Sequence, residues 1–454
     1  MSTEIDDAIP GAVHDLLRTL WTGGHAAYVV GGSLRDTQLG RKAKDWDLAT
    51  AALPERTANL FPGAVYENKF GTVAVRTDDP AVPEVEITTF RTDHDYADFR
   101  RPHRVEFGES IELDLARRDF TVNAMAWGAE PGEQPRLVDP HGGQADVAAR
   151  ILRTVGDPEK RFEEDALRMV RAVRLAATLD FAIEPATLAG ISAKAHLVGH
   201  LSGERIAIEM TEILAADRPS IGLRLMAATG LLSAISPDLA AQRGVPQNKV
   251  EGEDLWDHTL RAVDGAATEP ARIRMATLLH DIGKPLTMAD GRFLGHETVG
   301  AGMADALLER WRWPAAERQR IVALVRQHMF GYQPSWSDAA IRRFIAKIGP
   351  EHLEDLFLLR EADHIGSGRE PDAGGLDELR ARVAAQLEAG VALDLGALAV
   401  DGSDLMEDLG IAPGPELGRL LDWLLDRVIA EPAVNTRDGL IDLARRRLSS
   451  EGAL

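Results

Sequence analysis

The sequence predicts an α+β chain, with a small mixed sheet in its first third and helices after it. Three observations carry this reading. Short runs that are β-branched or alternate apolar with polar, punctuated by Gly and Pro, crowd into residues 1–150. From about Arg150 the apolar residues take up helical spacing instead. A polar stretch with two prolines and two glycines, residues 236–252, interrupts the helical part and reads as a linker.

Taken in order, an apolar strand over 26–30 runs into Gly31-Gly32, and a helix starts near Ser33. Further strands are expected over 46–50, 71–77 and 85–90. Strands this closely interspersed with few helices favour a mixed or antiparallel sheet. Helices are expected over 162–178, 203–215 and 221–232, and again from His258 to the end. Residues 371–375 mark a second weak boundary. Neither an internal repeat nor a low-complexity tract is visible.

The 454 residues suggest about two to four domains. Hydrophobic residues make up 45% and charged residues 27%, an ordinary globular balance. No apolar run is long enough to span a bilayer. The beginning, MSTEIDDAIPGAV, lacks a signal pattern. There is no cysteine, so disulfides and Cys-ligated zinc are excluded and a reducing cytoplasm fits. The net charge of −21 argues against a protein that coats nucleic acid, because phosphate contacts need basic surface. It leaves room for an enzyme with a short basic strip. Arg91, Arg100, Arg101 and Arg104, followed by Arg117 and Arg118, form one candidate strip, although taken alone the cluster reads better as a solvated loop.

Gly31, Gly32, Ser33 and Arg35 make a turn that can receive phosphate: glycine lets the backbone approach, a helix start offers N–H groups, and Arg35 adds charge. Asp45 and Asp47 follow. At i and i+2 of a strand they share one face, and two adjacent carboxylates call for a hard divalent cation between them. A triphosphate cradle beside a metal-binding pair is what nucleotidyl transfer by two Mg²⁺ requires. Glu86 is the candidate third carboxylate and is equally compatible with an ordinary strand charge.

Two further segments could hold a nucleotide. Arg118, Asp119 and Asn123 could hold a ribose and phosphates, or form a salt-bridged helix start. Asp165 and Arg168, three apart on a helical pattern continuing through Arg171 and Arg174, share a face. Cytosine and adenine both present an exocyclic amino donor beside a ring-nitrogen acceptor. Asp accepts from the first and Arg donates to the second, while guanine and uracil leave both mismatched, which is costly when buried. The bland alternative is an i,i+3 surface ion pair.

These residues resemble the bacterial-type (class II) tRNA nucleotidyltransferases, or CCA-adding enzymes, and the related bacterial poly(A) polymerases of the DNA polymerase β-like superfamily. The resemblance spans residues 25–235. Val30 to Asp36 with Asp45-Trp46-Asp47 is similar to the catalytic motif, with Leu34 where Val is more usual. Residues 117–124 are similar to the ribose motif, and 139–143 with Asp146 to the hinge between head and neck. Residues 164–168 are similar to the base-template motif, and 202–205 with Glu209 to the neck-stiffening motif. Five motifs in order are a specific signal. The family's flexible loop, which helps switch specificity from C to A, corresponds to residues 92–104, with Tyr96 and Arg100-Arg101-Pro102.

In the second half, His258, His280-Asp281 and Asp363 form an ordered H…HD…D pattern, good ligands for a divalent transition metal. His280 on the apolar stretch 275–279 could also be a buried structural histidine. Residues 278–285 resemble the HD-domain metal phosphohydrolases. That resemblance implies Lys284 as a phosphate contact, His296 and His328 as ligands of a second metal, and hydrolysis of phosphate or 2′,3′-cyclic phosphate at RNA ends.

The combined expectation is a polymerase β-like head (1–150), a helical neck and RNA-binding region (151–236), an HD domain (237–370) and a helical C-terminal region (371–454). The function expected is stepwise addition of C, C and A to tRNA from CTP and ATP in the cytoplasm, with no membrane partner. The alternatives are a poly(A) polymerase, an A-adding enzyme, or an RNA-binding HD phosphohydrolase.

Overall fold

The computed structural model describes residues 2–43, 45–66, 71–96, 102–108, 110–247 and 249–450, with side chains left aside at 2–4, 92–96 and 102–106. The chain is α+β, and it divides into two compact units, Met1–Ala240 with Arg310–Arg312, and Ala241–Glu309 with Trp313–Leu454.

The strands all belong near the beginning of the first unit, apart from short two-residue pairs. They are β1 (Ala27–Val30), β2 (Asp47–Thr50), β3 (Val65–Tyr66), β4 (Thr72–Arg76), β5 (Glu84–Thr89), β6 (Arg91–Tyr96), β7 (Pro102–Phe107), β8 (Ala126–Ala129) and β9 (Arg136–Val138). Seven of them form one sheet in the order β3-β4-β5-β2-β1-β8-β9. The β2–β5 pair is parallel and the other pairs are antiparallel, so the sheet is mixed. β1, in the middle, is buried at every position, as a strand covered on both faces must be. Helix Gly11–Thr22 packs on it, and a core of Tyr28, Val30, Phe90, Leu115 and Val138 lies within the head. β6 and β7 pair with each other as a separate ribbon, Arg91 opposite Phe107. Of the expected flexible loop over 92–104, residues 92–96 and 102–104 lie on these paired strands, and 97–101 lie outside the described residues. The side chains of Tyr96, Arg100, Arg101, Pro102 and Arg104 lie outside the described residues.

Helix Leu167–Leu179 packs against helices Gly203–Leu214 and Pro219–Thr229. Gly222 makes the close approach: a Cβ there would stand 2.9 Å from Ile213 and 3.2 Å from Ala177. The expected single helix over 162–178 is two, Pro158–Glu164 and Leu167–Leu179, because Asp165 is extended (φ −145°, ψ 106°).

In the second unit, helix Leu255–Gly265 packs on Leu353–Gly366, and both pack on Arg272–Leu279. A two-residue hairpin, Met288–Ala289 with Arg292–Phe293, interrupts the helices, a feature the helical reading did not include. Further along, helices Gly402–Leu409, Pro415–Ala430 and Arg437–Ser450 gather a core of Leu405, Leu420, Leu424 and Leu440. No helix among the described residues is long and apolar enough to cross a membrane.

Candidate functional site

β1 delivers the backbone to Gly31, whose φ of +83° with ψ −142° is a conformation that glycine alone adopts readily. A Cβ there would lie 3.2 Å from Nη1 of Arg118 and 3.9 Å from Oδ2 of Asp47. Turn, guanidinium and carboxylate therefore meet at one place. Asp47 opens β2, facing Val30 of β1 and Glu86 of β5 in register. Directly paired residues share a sheet face, so Asp47 and Glu86 project together. Asp45 precedes the strand rather than lying on it. Solvent reaches all three acids. Even so, crowding by protein raises the pKa of the Asp47 carboxyl; Arg118 opposes this and Asp45 reinforces it. A set of oxygen donors short of positive charge fits a hard divalent cation such as Mg²⁺.

Asp114, absent from the sequence reading, organises the basic side. It is buried on helix Ile111–Ala116 and takes Nε and Nη2 of Arg117 at 2.9 and 2.7 Å and Nη2 of Arg118 at 3.3 Å. Its signal was the i,i+3 and i,i+4 spacing to those arginines. Burial raises its pKa, but the two arginines outweigh that and lower it.

Arg35 turns inward. It donates to Asn123 Oδ1 at 2.6 Å and to Asp36 Oδ1 at 2.8 and 2.9 Å. Asn123 in turn donates to Asp119 Oδ1 at 3.2 Å, and Asp119 Oδ2 accepts from Nε of Arg171 at 2.9 Å and is 2.7 Å from its Nη2. Burial raises the Asp119 carboxyl, yet Arg171, Arg168 and Asn123 hold it down at about 2. Arg174 continues the chain of contacts to the buried Glu209 at 2.6 Å. Ser33 is buried, its hydroxyl 3.4 Å from the carbonyl of Val30.

Asp165 and Arg168 do not pair with each other. Because Asp165 sits in the break between two helices, it is not on the helix face expected for it. Its Oδ1 caps Leu167 N at 3.0 Å and its Oδ2 accepts from Nη2 of Arg205 at 2.7 Å. Arg168 is held by Glu164 at 2.6 Å and by the carbonyls of Arg161 and Arg117 at 3.2 and 2.9 Å. Both side chains, with Arg117, Arg118, Arg171 and Arg205, line a cleft of about 310 Å³. Nη1 of Arg205 is buried there without a hydrogen-bond partner among the described residues.

The second unit holds a different kind of site. His258, His280, Asp281, His296, His328 and Asp363 are all buried. Nε2 of His258 lies 3.2 Å from Nε2 of His280, and Nε2 of His296 lies 3.3 Å from Nε2 of His328. Three of these rings hold a main-chain carbonyl with Nδ1 at 2.7 Å: His280 that of Thr277, His296 that of Phe293, and His328 that of Val325. The hydrogen-bonding pattern assigns their protons to Nδ1, which leaves Nε2 as a lone pair. Lone pairs that face each other repel unless a cation stands between them. Asp281 spans the two groups, its Oδ2 3.3 and 3.1 Å from His258 and His280 and its Oδ1 3.3 and 3.6 Å from His296 and His328. Asp363 Oδ1 joins the first group, 3.4 Å from His258. Two ligand sets result, His258/His280/Asp363 and Asp281/His296/His328. Burial lowers the His280 pKa, which favours the neutral, metal-binding imidazole.

Cations surround this cluster. Lys284 Nζ is 2.5 Å from Asp281 Oδ2 and 3.0 Å from Gln247 Oε1. Lys249 Nζ is 3.3 Å from Asp363 Oδ1, and Arg360 Nη1 is 2.7 Å from Asp363 Oδ2. Gln247 and Lys249 come from the stretch read as a linker. It is therefore part of the site's wall.

Residues 27–153 match the family model described as the poly A polymerase head domain, 180–243 the one described as "probable RNA and SrmB- binding site of polymerase A", and 253–367 the HD domain. The chain is 32% identical to a CCA-adding enzyme of Streptococcus suis over 99% of each chain. It is 34% identical to one of Levilactobacillus brevis over 94% of this chain and 95% of the other. Among solved structures it is similar to the Bacillus stearothermophilus CCA-adding enzyme in complex with CTP, with a TM-score of 0.73, 29% identity, and 97% and 98% of the two chains covered.

Proposed function

The chain belongs to the family of CCA-adding enzymes, and from that membership we propose that it completes tRNA by adding C, C and A in turn from CTP and ATP. It is a nucleotidyltransferase. The single observation that best supports our reading of its chemistry is the meeting of the Gly31 backbone, Arg118 and Asp47 beside the cleft of Asp165 and Arg168.

In this mechanism Asp45 and Asp47, with Glu86 beside them, would hold Mg²⁺. Held there, Mg²⁺ would supply activation of the tRNA 3′-hydroxyl and charge neutralisation for the leaving pyrophosphate. The bare backbone at Gly31 and Gly32 leaves room for the triphosphate. Arg118, steadied by Asp114, faces its charge. The lone pairs of Asp165 that Leu167 and Arg205 leave open accept the exocyclic amino group of C or A, and Arg168 donates to the ring nitrogen. Arg205 fixes the orientation of Asp165, and Glu164 fixes that of Arg168. Asp119, Asn123, Arg35, Arg171 and Arg174 hold the nucleotide chiefly by bracing these walls. Rejection of G and U then follows from leaving buried polar groups mismatched.

We further propose that the second unit is a phosphohydrolase that clears phosphate or 2′,3′-cyclic phosphate from RNA ends. Its six ligands fit two divalent transition-metal ions, since the assigned tautomers of His280, His296 and His328 aim three Nε2 lone pairs at a shared carboxylate, with Nε2 of His258 beside them. When bound, such metals would supply an activated water and polarise the phosphoryl group. Lys284 stands ready to meet the phosphate. Clearing the end would expose the hydroxyl that the head extends. The division into head 1–150, neck 151–236, HD domain 237–370 and C-terminal region 371–454, and the cytoplasmic location, belong to the same proposal.

The test uses Mg²⁺, CTP, ATP and tRNA transcripts ending before the CCA, after C and after CC, resolved at single nucleotides. Addition of C, C and A that then stops supports the reading. Long A tails would make the protein a poly(A) polymerase, and A added to the CC-ending transcript alone an A-adding enzyme. Asp47→Ala should abolish addition while hydrolysis of cyclic-phosphate ends persists. Addition that survives this change overturns the metal assignment.

A further inference from the structure

We infer that a small cleft beside the metal cluster of the second unit is a phosphate subsite. It takes the non-scissile phosphodiester next to an RNA end whose terminal phosphate lies at the cluster. This rests on the phosphohydrolase reading above.

The cleft measures about 100 Å³ and is lined by Phe330, Tyr332, Arg360, His364, Arg369 and the backbone around Gly374. Pockets for whole small molecules start at roughly 300 Å³, so this one suits a phosphate or a ribose rather than a nucleotide. Its charge is distinctive in a chain of net −21. Two guanidinium groups line it and no carboxylate does. The Arg369 side chain is exposed and has no ion-pair or hydrogen-bond partner among the described residues. Arg360 uses Nη1 on Asp363 Oδ2, at 2.7 Å, and its remaining N–H groups have no partner among the described residues. Donors of this kind, left open side by side, match the oxygens of a phosphodiester.

The remaining walls favour RNA over a free anion. His364 is buried, and its Nδ1 lies 2.8 Å from the carbonyl of Pro371. Its proton is therefore assigned to Nδ1, and Nε2 can only accept, as a 2′-hydroxyl donor requires. Arg360 lies over the Phe330 ring at 5.5 Å, while the Tyr332 hydroxyl accepts from Arg382 at 3.3 Å and its ring packs edge-on to Trp336. Aromatic rings among arginines are the usual furniture of a single-strand binding groove. Arg360 also links the subsite to the metals, because Asp363, which it holds, is one of the proposed ligands. A terminal phosphate at the cluster and the preceding phosphodiester in the cleft would thus lie on either side of one guanidinium.

The test is calorimetric titration of the full, metal-loaded chain, with CTP present to fill the head. The three probes are the dinucleotide ApAp with its 3′-phosphate, 3′-AMP and inorganic phosphate. ApAp should bind more tightly than 3′-AMP. Arg369→Ala should weaken ApAp about tenfold, the scale of a charge-assisted contact, with 3′-AMP and phosphate changed less than about twofold. Arg369→Lys should recover part of the loss. If ApAp binds the native chain no better than 3′-AMP, or is unaffected by Arg369→Ala, the inference is overturned. It is overturned equally if all three probes weaken alike, since Arg369 would then serve the terminal or free phosphate. If the binding pattern appears but no terminal phosphate is hydrolysed, the subsite stands and the phosphohydrolase reading falls.

Discussion

Replacing Gly31 with alanine would test whether the turn after β1 is shaped for a phosphate. The φ of +83° with ψ −142° lies outside the regions that L-residues occupy, and holding a side chain there costs about 1–3 kcal/mol. The new Cβ would also sit 3.2 Å from Arg118 Nη1, so that guanidinium must give way by a few tenths of an ångström. For a unit of this size each kcal/mol lowers Tm by about 2–4 °C, so a fall of roughly 2–12 °C is expected by calorimetry. At a temperature where the variant is folded, kcat/KM for C addition should drop at least about tenfold, the result of losing roughly 1.4 kcal/mol of phosphate stabilisation. Gly24→Ala is the control. Its φ is +82°, but no atom lies within 4 Å of its Cβ. It should lose stability without losing activity. A Gly31→Ala chain that melts lower yet adds nucleotides at the native rate would refute the cradle and leave only a tight turn.

Arg205→Ala should free Asp165 and lower the preference for CTP over UTP by about tenfold, read as a ratio of kcat/KM values, since a misplaced acceptor loses its discrimination; an unchanged ratio would remove Arg205 from the base-reading device. Asp281→Asn is near-isosteric but cannot offer an anionic oxygen to both groups, so metal content measured on the purified chain should fall by at least one ion; equal content in variant and parent would show that Asp281 does not bridge. Asp119 has a folded-state pKa of about 2, below its unfolded value, so its stabilisation is complete above about pH 4 and is lost as pH falls toward 2. Denaturant midpoints should show this acid loss, on the order of 2 kcal/mol, in the native chain and a flatter profile in Asp119→Asn; parallel profiles would contradict the assignment.

Much of this was legible in the sequence because local spacing encodes local geometry. The Gly31-Gly32 turn lies where an apolar run ends, and Asp47 and Glu86 lie on strands expected for them. What could not be read was set by contacts distant in sequence. Asp165 and Arg168 are three residues apart, which suggests a shared helix face. Arg205, forty positions on, holds Asp165 instead, and the helix breaks beneath it. Arg35 reads as a phosphate donor, yet Asn123, 88 residues away, takes its Nη1. The polar stretch 236–252 has linker composition, and composition cannot reveal that Lys249 reaches Asp363.

The second unit shows why a ligand list and a ligand geometry are different things. The H…HD…D pattern names four residues, and nothing in their spacing says that His296 and His328 join them. What unites His280, His296 and His328 is local: each Nδ1 meets the carbonyl three residues earlier. An i−3 carbonyl is available wherever a helical or turn backbone brings it round, so any residue type may precede the histidine and no motif results. The consequence is nonetheless chemical. Once Nδ1 is committed, Nε2 must face inward as a base, and at His280 burial lowers the pKa and favours the neutral ring. His258 differs, because its Nδ1 is buried without a hydrogen-bond partner among the described residues. That ring lacks a carbonyl to fix its tautomer, so its orientation depends on Asp363, Asp281 and whatever cation they would hold between them. The first ligand set should therefore be the one whose order depends on its metal, and the second, with both rings anchored, the one already shaped to receive it.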